Sequence, residues 1–87
     1  MTEIRVGFIG AGNMTQALVD GLVQSKGILP ANIMAVDPAP ATLLKLARIG
    51  VRTDQKLEEL IENSDLIVLA IKPQVAEAVL SQISSMV

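Results

Sequence analysis

Three places in the 87-residue sequence carry the residue types that a small-molecule site needs: Gly10 and Gly12, Asp37, and the pair Lys72-Pro73. The glycines stand in Gly10-x-Gly12-x-x-Thr15, between the apolar run IRVGFI (4–9) and a helical pattern. At such a strand-to-helix turn the first glycine of a G-x-G-x-x-G fingerprint makes the tight turn. The second lets a pyrophosphate approach the backbone, and the third lets the helix pack close to the strand. The first two roles are filled, and Thr15 stands in the third. Its β-branched side chain either holds the helix farther out or turns its hydroxyl back onto the Ala11 carbonyl. The N–H groups around Gly12, Asn13 and Met14, together with the helix dipole, suit an anion at this turn. The competing reading is a turn that needs its glycines only for their backbone angles.

Asp37 ends the second apolar run, NIMAVD (32–37). An acidic side chain there can accept hydrogen bonds from the adenosine ribose of a dinucleotide. It would repel a 2'-phosphate, and DPAPATLL supplies no arginine to offset it, so the residues lean toward NAD(H) over NADP(H). Alternatively, Asp37 starts a turn with Pro38. Lys72 is open to two readings, a solvated side chain or a group in the cofactor crevice, and Pro73 suits the first turn of a helix either way. Asn13 could touch phosphate or the nicotinamide ribose, or merely tolerate the turn. No catalytic acid or base accompanies these residues. The sequence has no histidine, cysteine or tyrosine, and the remaining carboxylates read as solvated or structural, so neither a catalytic residue nor a metal site is assigned.

The elements that must position these groups alternate. IRVGFI leads to a helix with Met14, Ala17, Leu18, Gly21 and Leu22 on its apolar face, and NIMAVD to a helix with Leu43, Leu44 and Ala47, stopped by Gly50. A short strand near VRT (51–53) precedes QKLEELIEN (55–63), with Asp54 as its expected N-cap and Leu57, Leu60 and Ile61 facing inward. DLIVLAI (65–71) reads as a fully buried strand closed by Lys72-Pro73. A last helix then carries Val75, Val79, Leu80, Ile83 and Met86 on one side. This is an α/β pattern: a Rossmann-like, doubly wound parallel sheet with helices on both faces. Right-handed crossovers order the strands 3-2-1-4. Ligands bind such sheets outside the carboxyl ends of the strands, where the order reverses. That rule brings the Gly10 turn and Lys72-Pro73 to one crevice.

Composition narrows the partners. Apolar residues are 51% of the chain but Phe8 is its only aromatic, so the core must interlock aliphatic side chains. Seven basic and nine acidic residues give a net charge of −2 with no basic cluster, which argues against nucleic acid and anionic membranes. LIVLAI (66–71) is too short to span a bilayer, and Glu3 and the glycines break up any secretory signal, so a cytoplasmic location is expected.

GFIGAGNM (7–14), the DPAP turn and above all SDLIVLAIKPQ (64–74) resemble the N-terminal cofactor domain of pyrroline-5-carboxylate reductase, over essentially the whole chain. The resemblance implies a domain that binds NADPH or NADH for an enzyme that reduces 1-pyrroline-5-carboxylate to L-proline. By position it implies that Ile9, Gly10, Ala11, Gly12, Asn13, Met14 and Thr15 hold the pyrophosphate. Asp37 then lies by the adenosine ribose, and Ala70, Ile71, Lys72 and Pro73 line the nicotinamide side. The sequence departs from that family at Thr15, where a small residue is usual, and at Asp37, where Ser or Thr is common in members using NADPH. It departs again at Leu57, where many members have Asn. The family also continues into a helical domain that dimerises and forms the imine pocket. Residues 1–87 are therefore expected to be a truncated cofactor domain, inactive alone, with an uncovered fourth-strand edge that favours a homo-oligomer. Two rivals stand beside this reading: a non-catalytic, self-associating Rossmann module, and the cofactor domain of another hydride-transfer dehydrogenase.

Overall fold

Four strands, β1 (Val6–Ile9), β2 (Ile33–Val36), β3 (Arg52–Asp54) and β4 (Leu66–Leu69), pair in parallel in the order β3-β2-β1-β4. The computed structural model describes residues 4–25, 27–54 and 56–86. The connections are helices α1 (Asn13–Gln24), α2 (Pro40–Ala47) and α3 (Leu57–Glu62), with α4 (Pro73–Met86) following β4 and a 3₁₀ turn at Pro30–Asn32 leading into β2. The expected strand order and the reversal between β1 and β4 are both present.

The two faces follow from the period-two alternation of strand side chains. Val6 and Phe8 of β1 and Ile33 and Ala35 of β2 point to one face, where they pack with Val19 of α1 and Leu43 and Leu46 of α2. Ile9, Met34 and Val36 point to the other, against Leu60 of α3, with Val79 and Ile83 of α4 half-buried beside them. A side chain at Gly7 would overlap Leu60 and Ser64, so β1 lies directly against α3 there.

Several expectations from periodicity are corrected. In α1 the buried stripe is Thr15 and Val19, with Leu22 and Val23 packed on the core, while Met14, Ala17, Leu18 and Gly21 are exposed. Thr15 fixes this rotation through a backbone contact described below, and the Met14–Leu18 row is turned to the uncovered side near β4. In α2, Leu43 and Leu46 are buried, and Leu44 and Ala47 face solvent. β4 is not fully buried: Leu66 is 55% exposed and Leu69 38%. The reason is its place at the edge, bonded on one side to β1 and open on the other, as an uncovered fourth-strand edge requires. In α4, Val75, Leu80 and Met86 are likewise exposed. Asp54 lies in β3 and is not the N-cap of α3. That position is Lys56, whose N–H donates to Asp54 Oδ1 at 2.9 Å. Gln55, expected in this helix, lies outside the described residues.

At the amino end of the sheet, Arg5 and Asp65 set the register of β1 against β4. Arg5 N–H and Nε donate to Asp65 Oδ2 at 2.9 and 3.3 Å, and Nη2 donates to Oδ1 at 3.1 Å. The N–H groups of Asp65 and Leu66 return bonds to the Arg5 carbonyl at 2.8 and 3.1 Å. The Arg5 side chain, then its backbone N–H, holds the Asp65 carboxyl below its ordinary value of 3.8. A carboxyl lowered in the folded state contributes stability above its unfolded pKa and loses it as pH falls through the folded one. Asp65→Asn is therefore expected to be less stable than the parent at neutral pH. The gap in urea midpoint should close as pH falls below 3.8 through the lowered folded-state pKa, and narrow in 1 M salt, because the pair is exposed and screened. A gap that persists unchanged at low pH would contradict this.

Candidate functional site

The carboxyl ends of β1 and β4 meet where the strand order reverses. After Ile9 the chain turns through Gly10, Ala11 and Gly12 into α1; after Leu69 it turns through Ala70, Ile71 and Lys72 into α4. Gly10 N–H donates to the Val36 carbonyl at 2.8 Å and Ala70 N–H to the Ile9 carbonyl at 2.9 Å, so both turns hang on the sheet. Between them lies a crevice of about 540 Å³. Of the residues expected at the site, Gly10, Gly12, Met14, Asp37, Ala70, Ile71 and Lys72 line it. Ile9 is buried and lines a smaller adjoining pocket of about 180 Å³, next to Leu57 and Gln82. Ala11 and Thr15 are fully buried behind the turn. Asn13 and Pro73 are exposed at the first turns of α1 and α4 and do not line the crevice.

The two glycines differ in why they are glycine. Gly10 has φ +104°, and an added Cβ would lie 2.5 Å from the Ala70 carbonyl oxygen and 2.8 Å from Ile71 Cγ2. The fold itself requires it. Gly12, the N-cap of α1, has φ −76° and ψ −165°, backbone that any residue adopts, and an added Cβ would meet nothing within 4 Å. No side chain caps the helix there. Among the described residues, the N–H groups of Gly12, Asn13 and Met14 have no protein acceptor. Open space, free donors and the positive end of a three-turn helix thus coincide at Gly12.

Thr15 resolves differently from either expectation. Its side chain is buried with the helix packed down, and its hydroxyl donates to the Gly10 carbonyl at 2.6 Å. The Ala11 carbonyl is instead served by Gln16 Nε2 at 3.1 Å. Asp37 accepts Ala39 N–H on Oδ1 at 2.8 Å, which is the turn-starting role, and also accepts Ala11 N–H on Oδ2 at 2.9 Å. Lys72 is exposed on the crevice rim, and its carbonyl accepts the N–H groups of Val75 and Ala76 at 3.0 and 2.9 Å, starting α4. Sequence reasoning missed two lining residues, Pro38 and Val75. Pro38 reads as a strand terminator. Val75 reads as helix core, although its place in the first turn after Lys72-Pro73 puts it at the strand ends.

The pocket carries one carboxylate and one ammonium on a mostly apolar lining, with no metal-binding cluster of acidic residues among the described residues. Comparison with known proteins gives this arrangement a context. The chain is 36% identical over 84 residues to the pyrroline-5-carboxylate reductase of Escherichia coli K12, covering 95% of this chain and 31% of that protein. It is 34% identical over 83 residues to pyrroline-5-carboxylate reductase 3 of rat, covering 95% and 30%. A solved pyrroline-5-carboxylate reductase from Coxiella burnetii superposes with a TM-score of 0.77 at 32% identity, over 84% of this chain and 27% of that one. The Plasmodium falciparum pyrroline carboxylate reductase, solved with NADP bound, gives 0.73 at 32% identity, over 92% and 28%. The chain thus spans about a third of the length of the curated relatives it matches. A family model matches from residue 5 to residue 86, taking in every strand and helix described above, and on that match the chain belongs to the NADP oxidoreductase, coenzyme F420-dependent family.

Proposed function

We propose that the chain is the dinucleotide-binding domain of a reductase that converts 1-pyrroline-5-carboxylate to L-proline, with NADH preferred over NADPH. The observation that carries the binding role is Gly12. Neither its backbone angles nor its neighbours require a glycine, so its missing side chain is best explained by a ligand that needs the space. A pyrophosphate fits that space, the unpaired N–H groups beside it and the α1 dipole. Residues Gly10 to Met14 then form the phosphate turn, and Ala11 and Thr15 support it from behind. Asp37 keeps lone pairs free for ribose hydroxyls and repels a 2'-phosphate. Ala70, Ile71 and Lys72 flank the nicotinamide side.

When bound, the cofactor supplies the hydride. These residues hold and orient it, and the chain has no histidine, cysteine or tyrosine to serve an imine nitrogen as proton donor. The substrate assignment rests on the four reductases compared above. The same reading takes the enzyme to be cytosolic and self-associating. Support for association comes from an apolar groove between α1 and β4, lined by Leu18, Leu22, Leu66 and Val68 among others. No helix among the described residues is long and apolar enough to cross a membrane.

Calorimetric titration with NADH and NADPH tests the binding role. Saturable binding is expected for both, tighter for NADH. Gly12→Val should weaken it by about a hundredfold or more, close to 3 kcal/mol, while the melting temperature falls by only about 2–8 °C from the poorer N-cap. No heat at millimolar cofactor would overturn the proposal.

A further inference from the structure

The Gly10 carbonyl and the Ala11 N–H belong to one peptide unit, and both of its polar ends are held by side chains. Thr15 Oγ1 donates to the carbonyl at 2.6 Å from its fully buried position at the first turn of α1. Asp37 Oδ2 accepts the N–H at 2.9 Å from the end of β2. We propose that Thr15 and Asp37 act together as a two-sided clamp on the Gly10-Ala11 peptide, positioning the phosphate turn before any cofactor arrives.

Rotation of this peptide changes ψ of Gly10, where no Cβ resists it, and φ of Ala11, so the glycine removes one of the two steric restraints on a flip. A flip here would turn the Gly10 carbonyl oxygen from a buried hydroxyl toward the crevice, where it would repel a phosphate. The neighbouring amides are already assigned. Gly10 N–H is committed to the Val36 carbonyl, and the N–H groups of Gly12, Asn13 and Met14 are free for a ligand. The Gly10-Ala11 unit is therefore the one whose orientation the sheet leaves to side chains. Each half of the clamp explains a residue that simple expectations do not. Thr15 stands where a glycine fingerprint calls for a glycine, and its hydroxyl satisfies a buried carbonyl that glycine would leave unpaired. Asp37 spends one oxygen on the turn. Residues often exchanged to admit a 2'-phosphate would thus also loosen the turn beneath the pyrophosphate, coupling ribose choice to phosphate geometry.

The clamp stands on geometry alone; its effect on cofactor affinity rests on the dinucleotide reading above. The experiment is a double-mutant cycle of Thr15→Val and Asp37→Ala in the full chain, read first by amide hydrogen exchange of Ala11 without cofactor. Each substitution is expected to speed Ala11 exchange by about tenfold or more, while Gly10 N–H stays protected by Val36. In the double variant the two effects should fall short of their product, since either loss alone frees the same peptide. Thr15→Ser keeps the hydroxyl and should exchange like the parent, so it guards against a general packing defect. The proposal is overturned if Ala11 exchange stays within about twofold of the parent in both single variants, if the effects simply multiply, or if Thr15→Ser behaves like Thr15→Val. Titration with NADH and NADPH forms a second arm. Asp37→Ser is expected to lose affinity for NADH without binding NADPH as tightly as the parent binds NADH; a full switch to NADPH overturns the coupling. A parent that binds neither cofactor rejects the proposed function, and the exchange arm still decides the clamp.

Discussion

Gly10→Ala is expected to cost about 2–5 kcal/mol, roughly 1–2 from forcing an L side chain into positive φ and about 1–3 from moving the atoms it strikes. The nearest of these is the Ala70 carbonyl oxygen, 2.5 Å from the new Cβ. Backbone cannot swing aside as a side-chain tip can, and Ala70 is tied to β1 by its own N–H bond to Ile9. A chain of 87 residues has about 4–13 kcal/mol of total stability. The substitution therefore removes a large share of it, and the melting temperature should fall by about 10 °C or more. Gly12→Ala is the matched control, at about 0.5–1 kcal/mol for a poorer N-cap. Urea denaturation of the pair is the measurement. Equal losses at the two positions would show that Gly10 is not the structural glycine and Gly12 not the dispensable one.

Phe8→Ala should be at least as damaging, at about 3–5 kcal/mol. Phe8 is 1% exposed at the centre of β1, paired with Ala35 on one side and Val68 on the other. It is also the only aromatic in the chain, so no second ring shares its load. Around it are Val6, Val19, Leu43 and Leu46, all branched aliphatics whose reach is too short to refill the vacated space. Because β1 is the strand on which both the glycine turn and β4 depend, its loss should unfold the crevice with the core. Phe8→Leu keeps most of the volume and should cost about 1.5 kcal/mol or less. Circular dichroism in urea separates the two. A Phe8→Ala midpoint close to that of Phe8→Leu would mean that β1 is not the centre of the core.

Much of this was legible in the residues themselves. Short aliphatic runs separated by helical periodicity point to a parallel sheet covered on both faces, and right-handed crossovers with a Rossmann-like turn after the first strand point to the order 3-2-1-4. From that order follows the meeting of Gly10 and Lys72 at one crevice, although they are far apart in the chain. Helix rotation was less legible, because α1 and α2 carry more apolar residues than they bury. Periodicity picked Met14 and Leu18, yet the buried stripe runs through Thr15 and Val19. A threonine hydroxyl bonded to the Gly10 carbonyl, invisible to any hydropathy pattern, fixes that rotation.

The sequence by itself determined the fold class, the strand order and the glycine turn at the switch point, since each follows from residue type and local spacing. Only the tertiary structure decided what each turn residue is for. Whether a glycine is required by the backbone or by a ligand depends on atoms contributed by distant segments: Ala70 and Ile71 stand against Gly10, and nothing stands against Gly12. Asp37 likewise gained its second duty only because the end of β2 lies beside the turn after β1, within 2.9 Å of the Ala11 N–H.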